Sequence, residues 1–75
     1  MSLETIFAEI FSIPEDSITD DLVLSSIRTW DSMNHMLLII RLEETYIVKL
    51  TGDEIADMKT VGDTRKTLQK HGVFQ

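Results

Sequence analysis

The pattern that most constrains this chain opens at Trp30-Asp31-Ser32-Met33 and continues through Met36, Leu37, Leu38, Ile39, Ile40 and Leu42. Apolar residues recur at helical spacing on more than one side, which predicts a helix from Ser32 to Tyr46 of about four turns. Asp31 stands at its N-cap position, where a side-chain oxygen satisfies a free N–H of the first turn. A helix this apolar needs other elements packed around it. Ile47-Val48-Lys49-Leu50 has β propensity, but one isolated strand has no partner and reads as an extended connector. The partners must be helices.

Leu3, Ile6, Phe7, Ile10 and Phe11 repeat at helical spacing behind Ser2, an N-cap residue by type. The helix they predict ends near Ser12, because Pro14 disfavours helical geometry at Ile13. Residues 14–30 mix one Pro with several Ser, Thr and Asp, and scatter Ile18, Leu22, Val23, Leu24 and Ile27 among them. They predict a long structured loop with one helical turn, pinned to the core by those apolar residues. Such a loop in so small a chain points to function. Thr51-Gly52-Asp53-Glu54 fits a capping box and starts a short third helix through Met58. Thr60-Val61-Gly62-Asp63 has the looser Thr-x-x-Asp form and starts a fourth, with Val61, Arg65, Leu68 and Gln69 on its weaker face and Gly72 as its C′ residue. The expected fold is all-α. It is a small four-helix bundle with a long loop between helices one and two and a short helix three, residues 1–75 forming a single domain.

With 75 residues and no cysteine, the chain has neither a disulfide nor a His/Cys cluster to hold a structural zinc. Helix packing must carry its stability. A hydrophobic fraction of 43% suffices for a compact bundle but not for enclosing a large preformed enzyme pocket. That balance favours a binding or carrier module over a self-sufficient catalyst. The first residues lack the basic region of a signal peptide, and the run Met36 to Ile40 is far too short to span a bilayer. A soluble cytoplasmic protein with no membrane partner is expected. The net charge of −6 argues against nucleic acid, whose phosphates would be repelled. Residues 1–21 hold Glu4, Glu9, Glu15, Asp16, Asp20 and Asp21 without a Lys or Arg, whereas the remainder is balanced. A basic partner would be steered to that acidic end.

Helical spacing sorts the second helix into two stripes. His35, Leu38, Ile39, Leu42 and Tyr46 form one; Met33, Met36, Leu37, Ile40 and Glu44 form the other. Packing on one side needs only one of them. Periodicity alone leaves both readings open: a helix buried all round, or an exposed Met-rich patch beside Ser32. Methionine suits such a patch, because its flexible, polarizable side chain adapts to several partners.

Asp31-Ser32-Met33, near-central in a small acidic chain with a helix length on each side, resembles the attachment site of acyl carrier proteins and the related peptidyl and aminoacyl carriers. The resemblance runs from roughly Leu3 to Gly72. It implies 4′-phosphopantetheine, taken from coenzyme A, esterified to Ser32, with an acyl or aminoacyl group held on it as a thioester. It implies a phosphopantetheinyl transferase, an acyl or aminoacyl ligase and a downstream transferase or synthase as partners of a monomeric carrier that performs no reaction alone. Met33, Met36, Leu37, Ile40, Glu43 and Glu44 would face those partners. Leu42, Ile55 and Met58 would border a cargo cleft, although Ile55 and Met58 serve equally well as core. Asp31 would cap the helix and help hold the Mg²⁺ that the transferase uses, hard oxygen ligands suiting that ion. The fatty-acid-synthesis members usually follow the serine with a strongly acidic helix. Here Asp31, Glu43 and Glu44 stand against Arg41, and Trp30 replaces the small residues common before the Asp-Ser pair. These departures fit a specialised free-standing carrier with a dedicated partner.

Two other readings bear on the same residues. Ser32, His35 and Asp31 do not make a hydrolase. Asp31 would have to turn back past the serine to reach the far nitrogen of His35, and no Gly-x-Ser-x-Gly elbow is present. No catalytic or metal-ligating residue is therefore assigned. The alternative is a helical interaction module without a prosthetic group, docking through Met33, Met36 and Ile40. His71 reads as a tail residue whose cationic form suits a helix C-terminus.

Overall fold

Each helix begins at the cap its sequence supplies, in a computed structural model that describes residues 2–74. Ser2 Oγ accepts the Thr5 N–H at 3.2 Å and starts α1, Leu3–Phe11. Asp31 Oδ1 accepts the Asn34 N–H at 2.7 Å and starts α2, Ser32–Tyr46. Complete capping boxes at Thr51/Glu54 and Thr60/Asp63 start α3, Gly52–Asp57, and α4, Val61–Lys70. Helices α1 and α2 each stop on a left-handed residue, Ser12 with φ 55° and Ile47 with φ 54°. In both, the next N–H reaches back into the last turn, Ile13 to Ala8 O and Val48 to Glu43 O, each at 3.2 Å. Ile47 is β-branched, so its backbone is strained there, and its side chain is 86% exposed.

The core follows the apolar spacing. Leu3, Ile6, Phe7 and Phe11 of α1 meet Leu38, Ile39 and Leu42 of α2, with Val61 and Leu68 of α4 completing the cluster. Phe7 and Phe11 stack at 6.2 Å between ring centroids. Helix α3 contributes no buried residue of its own; Ile55 packs half-buried against the core, and Met58, at its C-cap, is buried. The loop between α1 and α2 holds two 3₁₀ turns, Glu15–Ser17 and Leu24–Ser26, rather than one helical turn. Ile18, Leu24 and Ile27 pin it as expected, but Val23 points outward.

The loop is also stitched by its backbone to the α3–α4 junction. Leu24 N–H donates to Lys59 O, Val61 N–H to Leu22 O, and Gly62 N–H to Asp20 O at 2.8 Å. That approach requires glycine at 62, since a Cβ there would lie 2.9 Å from the Asp20 carbonyl oxygen. Gly62→Ala must push the loop off α4 and is expected to cost about 1–3 kcal/mol. Gly52→Ala, with nothing within 4 Å of its Cβ, should instead be neutral or stabilising by up to about 1 kcal/mol. Urea denaturation of the two variants checks the contrast.

Charged groups tie the elements further. Arg65 donates to Glu4 at 2.6 Å and bridges Asp20 at 3.1 Å, joining α4, α1 and the loop. His71, expected as a tail residue, meets Glu54 at 2.9 Å and links the end of α4 to α3. Burial pushes the Glu4 carboxyl up, but its backbone hydrogen bond and Arg65 outweigh that and hold it below the usual value. For Asp63, burial likewise pushes up, and the Thr60 and Lys59 N–H groups outweigh it. Glu54 is lowered chiefly by the Thr51 N–H. His35 titrates below its ordinary 6.5 because burial disfavours its cation. In all four the unfolded chain takes up the proton first as the pH falls. The His35 contribution is full above 6.5 and is lost below it as the pH falls through the lowered value; the carboxylate contributions follow at lower pH. Denaturation midpoints across pH should therefore decline in two stages, and His35→Phe should remove the upper one.

Candidate functional site

Ser32 occupies the first position of α2, exposed, on a junction held from three sides. Thr29 donates its hydroxyl to the last carbonyl of α1, Phe11 O. Asn34 Nδ2 reaches back to Thr29 O at 3.0 Å, and the Trp30 N–H bonds Ile27 O at 2.9 Å. The serine hydroxyl is thus presented to solvent on a fixed element rather than on a mobile tip. The cap uses the Asn34 N–H and the helix uses that of His35, whereas no described residue accepts the Ser32 and Met33 N–H groups. These free donors and the helix dipole favour a negative group at this end. The residues present therefore fit a phosphodiester on the serine.

Packing separates the two stripes of α2. Leu38, Ile39 and Leu42 are buried, and Tyr46 packs half-buried beside them. Met33 is 74% exposed, Met36 52%, Leu37 46% and Ile40 47%. The helix is therefore not buried all round, and a contiguous apolar strip continues outward from Ser32. Of the two glutamates expected on that face, Glu44 is exposed. Glu43 is half-buried, and its Oε2 accepts the Leu50 N–H at 2.9 Å, anchoring the connector after α2. Its place is structural because the connector, lacking a strand partner, must satisfy its donors locally. Arg41 is held by Glu9 of α1 at 2.8 Å.

Beside this junction lies a cleft of about 210 Å³ lined by Val23, Leu24, Ser25, Trp30, His35, Met58 and Lys59. Of the three residues expected to border a cargo cleft, Met58 lines this one, and it is also buried in the core. Leu42 and Ile55 do not: Leu42 is fully buried in the core, and Ile55 packs against it from α3. The rest of its wall comes from the α1–α2 loop, from Lys59 and from His35 and Trp30, whose ring centroids stand 6.1 Å apart. Spacing alone marks His35 only as a half-buried helix residue. A larger depression of about 450 Å³ is walled by Asp20, Asp21, Asp63, Arg65 and Lys66. It shares no residue with the serine junction, and Arg65 and Asp20 on its wall already pair with each other. The smaller cleft is the one that borders the Asp31-Ser32 junction, through Trp30 and His35.

Among the described residues, no helix is long and apolar enough to cross a membrane, and no group of His, Cys, Asp and Glu could hold a metal ion. Residues 2–68 match the family of phosphopantetheine attachment sites. The chain is 31% identical over 64 residues to the acyl carrier protein of Lactobacillus johnsonii, covering 85% of this chain and 80% of that one. It is 28% identical over 69 residues to that of Lactobacillus acidophilus, covering 92% and 86%. The fold matches the solution structure of the holo acyl carrier protein of Geobacter metallireducens with a TM-score of 0.81 and 34% identity, covering 91% and 78%. The family works through phosphopantetheinyl transferases and biosynthetic enzymes, its members carrying groups rather than catalysing. This chain belongs to the acyl carrier protein family: a helical carrier that presents acyl groups on covalently attached 4′-phosphopantetheine.

Proposed function

We propose that Ser32 is the residue that bears the arm. What carries this reading is an exposed serine hydroxyl at the first turn of α2, with two unclaimed N–H groups beside it. The arm supplies a terminal thiol on which an acyl group is held as a thioester. The protein's share is to fix the serine, favour the phosphate through the N–H groups of Ser32 and Met33, shelter the cargo beside Met58, and offer Met33, Met36, Leu37 and Ile40 to partners. Residues 1–75 would act as one cytoplasmic, monomeric carrier domain. Its dedicated partners would be a ligase that loads it and a transferase or synthase that unloads it. The test is intact mass after incubation with coenzyme A, Mg²⁺ and a broad-specificity phosphopantetheinyl transferase. A gain of one arm, mapped to the peptide containing Ser32, is expected. No gain would favour the interaction module without a prosthetic group.

Asp31 has one oxygen committed to the cap and is proposed to offer the other to the Mg²⁺ of the transferase. Asp31→Ala should lower stability by about 1 kcal/mol through the lost cap and slow arm transfer as well. Transfer kinetics that stay unchanged while the melt falls would make Asp31 a cap alone.

A further inference from the structure

Among the described residues, His35 Nδ1 is the one buried side-chain nitrogen or oxygen that has no hydrogen-bond partner. Buried polar groups in folded proteins are nearly always paired, so such an orphan calls for an explanation. A structural one is missing: a Leu or Phe would fill the same half-buried position on α2 without leaving a polar atom unmatched. His35 instead lines the cleft beside the serine junction, together with Ser25 and Lys59 around an apolar wall of Leu24, Trp30 and Met58. No described residue bonds the Ser25 hydroxyl or pairs with the Lys59 ammonium. An apolar wall with a few convergent, unpaired polar groups is the usual make-up of a site that selects a small ligand.

We propose that His35 is a specificity residue of this cleft, and that the cargo it shelters is a short acyl group bearing a hydroxyl. The inference deepens the carrier reading and rests on it. Size sets the first limit. At roughly 30 Å³ per water-sized group, the 210 Å³ cleft holds about seven non-hydrogen atoms. A butyryl-sized group fills it, and a long fatty chain would have to extend out of it into solvent. Chemistry sets the second. A neutral imidazole nitrogen is a donor in one tautomer and an acceptor in the other, and a hydroxyl matches either. An ammonium is disfavoured twice, by the positive Lys59 on the same wall and by the apolar side chains that would strip its water. An unsubstituted acyl chain would leave Nδ1 as unmatched as before. Nδ1 itself is closed off, so the cargo meets it only if a neighbouring side chain moves, and the Trp30 ring stands 6.1 Å from that of His35.

The test uses the full chain, loaded enzymatically at Ser32 from the coenzyme A thioesters of butyrate, 3-hydroxybutyrate and 3-aminobutyrate. Each thioester is then cleaved with hydroxylamine, and each rate is divided by that of the same acyl group on free pantetheine. The 3-hydroxybutyryl form should be protected about 3- to 10-fold more than the butyryl form, the worth of one hydrogen bond. The ¹⁵N resonance of His35 Nδ1 should move on loading with this acyl group and not with the other two. His35→Phe should erase the difference in protection, and His35→Gln, which keeps a hydrogen-bonding amide, should restore part of it. Equal protection of the three acyl groups, or a His35 resonance that ignores the hydroxyl, overturns the proposal. The resonance is read on the unsubstituted protein and is independent of how the variants fold. Failure of the arm to attach at Ser32 would instead overturn the carrier reading, and the mass measurement shows that before any cargo is loaded.

Discussion

Ser32→Ala is expected to abolish phosphopantetheinylation completely and to leave the thermal melt where it was. The two halves follow from different atoms. Transfer of the arm needs the serine oxygen, and alanine has no atom to take its place. The fold does not need that oxygen: no hydrogen bond from the Ser32 side chain to another described residue is present, and the side chain is exposed. The cap belongs to Asp31, which still accepts the Asn34 N–H. Alanine is also the best helix former, so the first turn loses nothing. Mass spectrometry after incubation with transferase and coenzyme A reads the first half, and circular dichroism the second. An arm on the alanine variant would place the attachment elsewhere. A large fall in the melt would mean that the hydroxyl does structural work the contacts do not reveal.

Features settled by neighbours in the chain were legible in the sequence. Ser2, Asp31, Thr51 and Thr60 were readable as caps because each bonds an N–H three residues on. The Asp31-Ser32-Met33 motif was readable because it is itself local, and the family it resembles is the one that matches. The two stripes of α2 were visible in the spacing, but not which of them is covered. That depends on α1, whose single apolar face of Leu3, Ile6, Phe7 and Phe11 can cover only one. Pairings across longer separations were not legible. Gly62 meets Asp20, Arg65 meets Glu4, and His71 meets Glu54, and nothing in the residue types announced these partners. Which residues line the cleft beside the serine was not legible for the same reason. Leu42 and Ile55 are apolar residues of the helices around the serine, yet packing turns them into the core and brings loop residues such as Leu24 and Ser25 to the wall instead.

Leu42→Ala and Ile40→Ala, two residues apart on the same helix, should separate stability from recognition. Leu42 is fully buried against the other helices. Its truncation removes apolar contact and leaves a cavity, at a cost of about 2–5 kcal/mol. A chain of 75 residues has roughly 5–10 kcal/mol in total, so this one change should lower the denaturation midpoint steeply and can leave much of the protein unfolded. Ile40 is 47% exposed. Alanine there also has the better helix propensity, so the loss should stay below about 1 kcal/mol. What Ile40→Ala should impair is loading or unloading, because Met33, Met36, Leu37 and Ile40 form the apolar strip that runs from the serine. That strip carries little free charge: Arg41 is paired with Glu9, and Glu43 is committed to the Leu50 N–H. The rate with a cognate partner should therefore fall in Ile40→Ala and depend only weakly on salt, since apolar contact is not screened. A strong salt dependence would point to docking through the acidic residues between Glu4 and Asp21. If Ile40→Ala destabilised the fold as much as Leu42→Ala, the strip would be core in solution, and recognition would have to be sought at that acidic end.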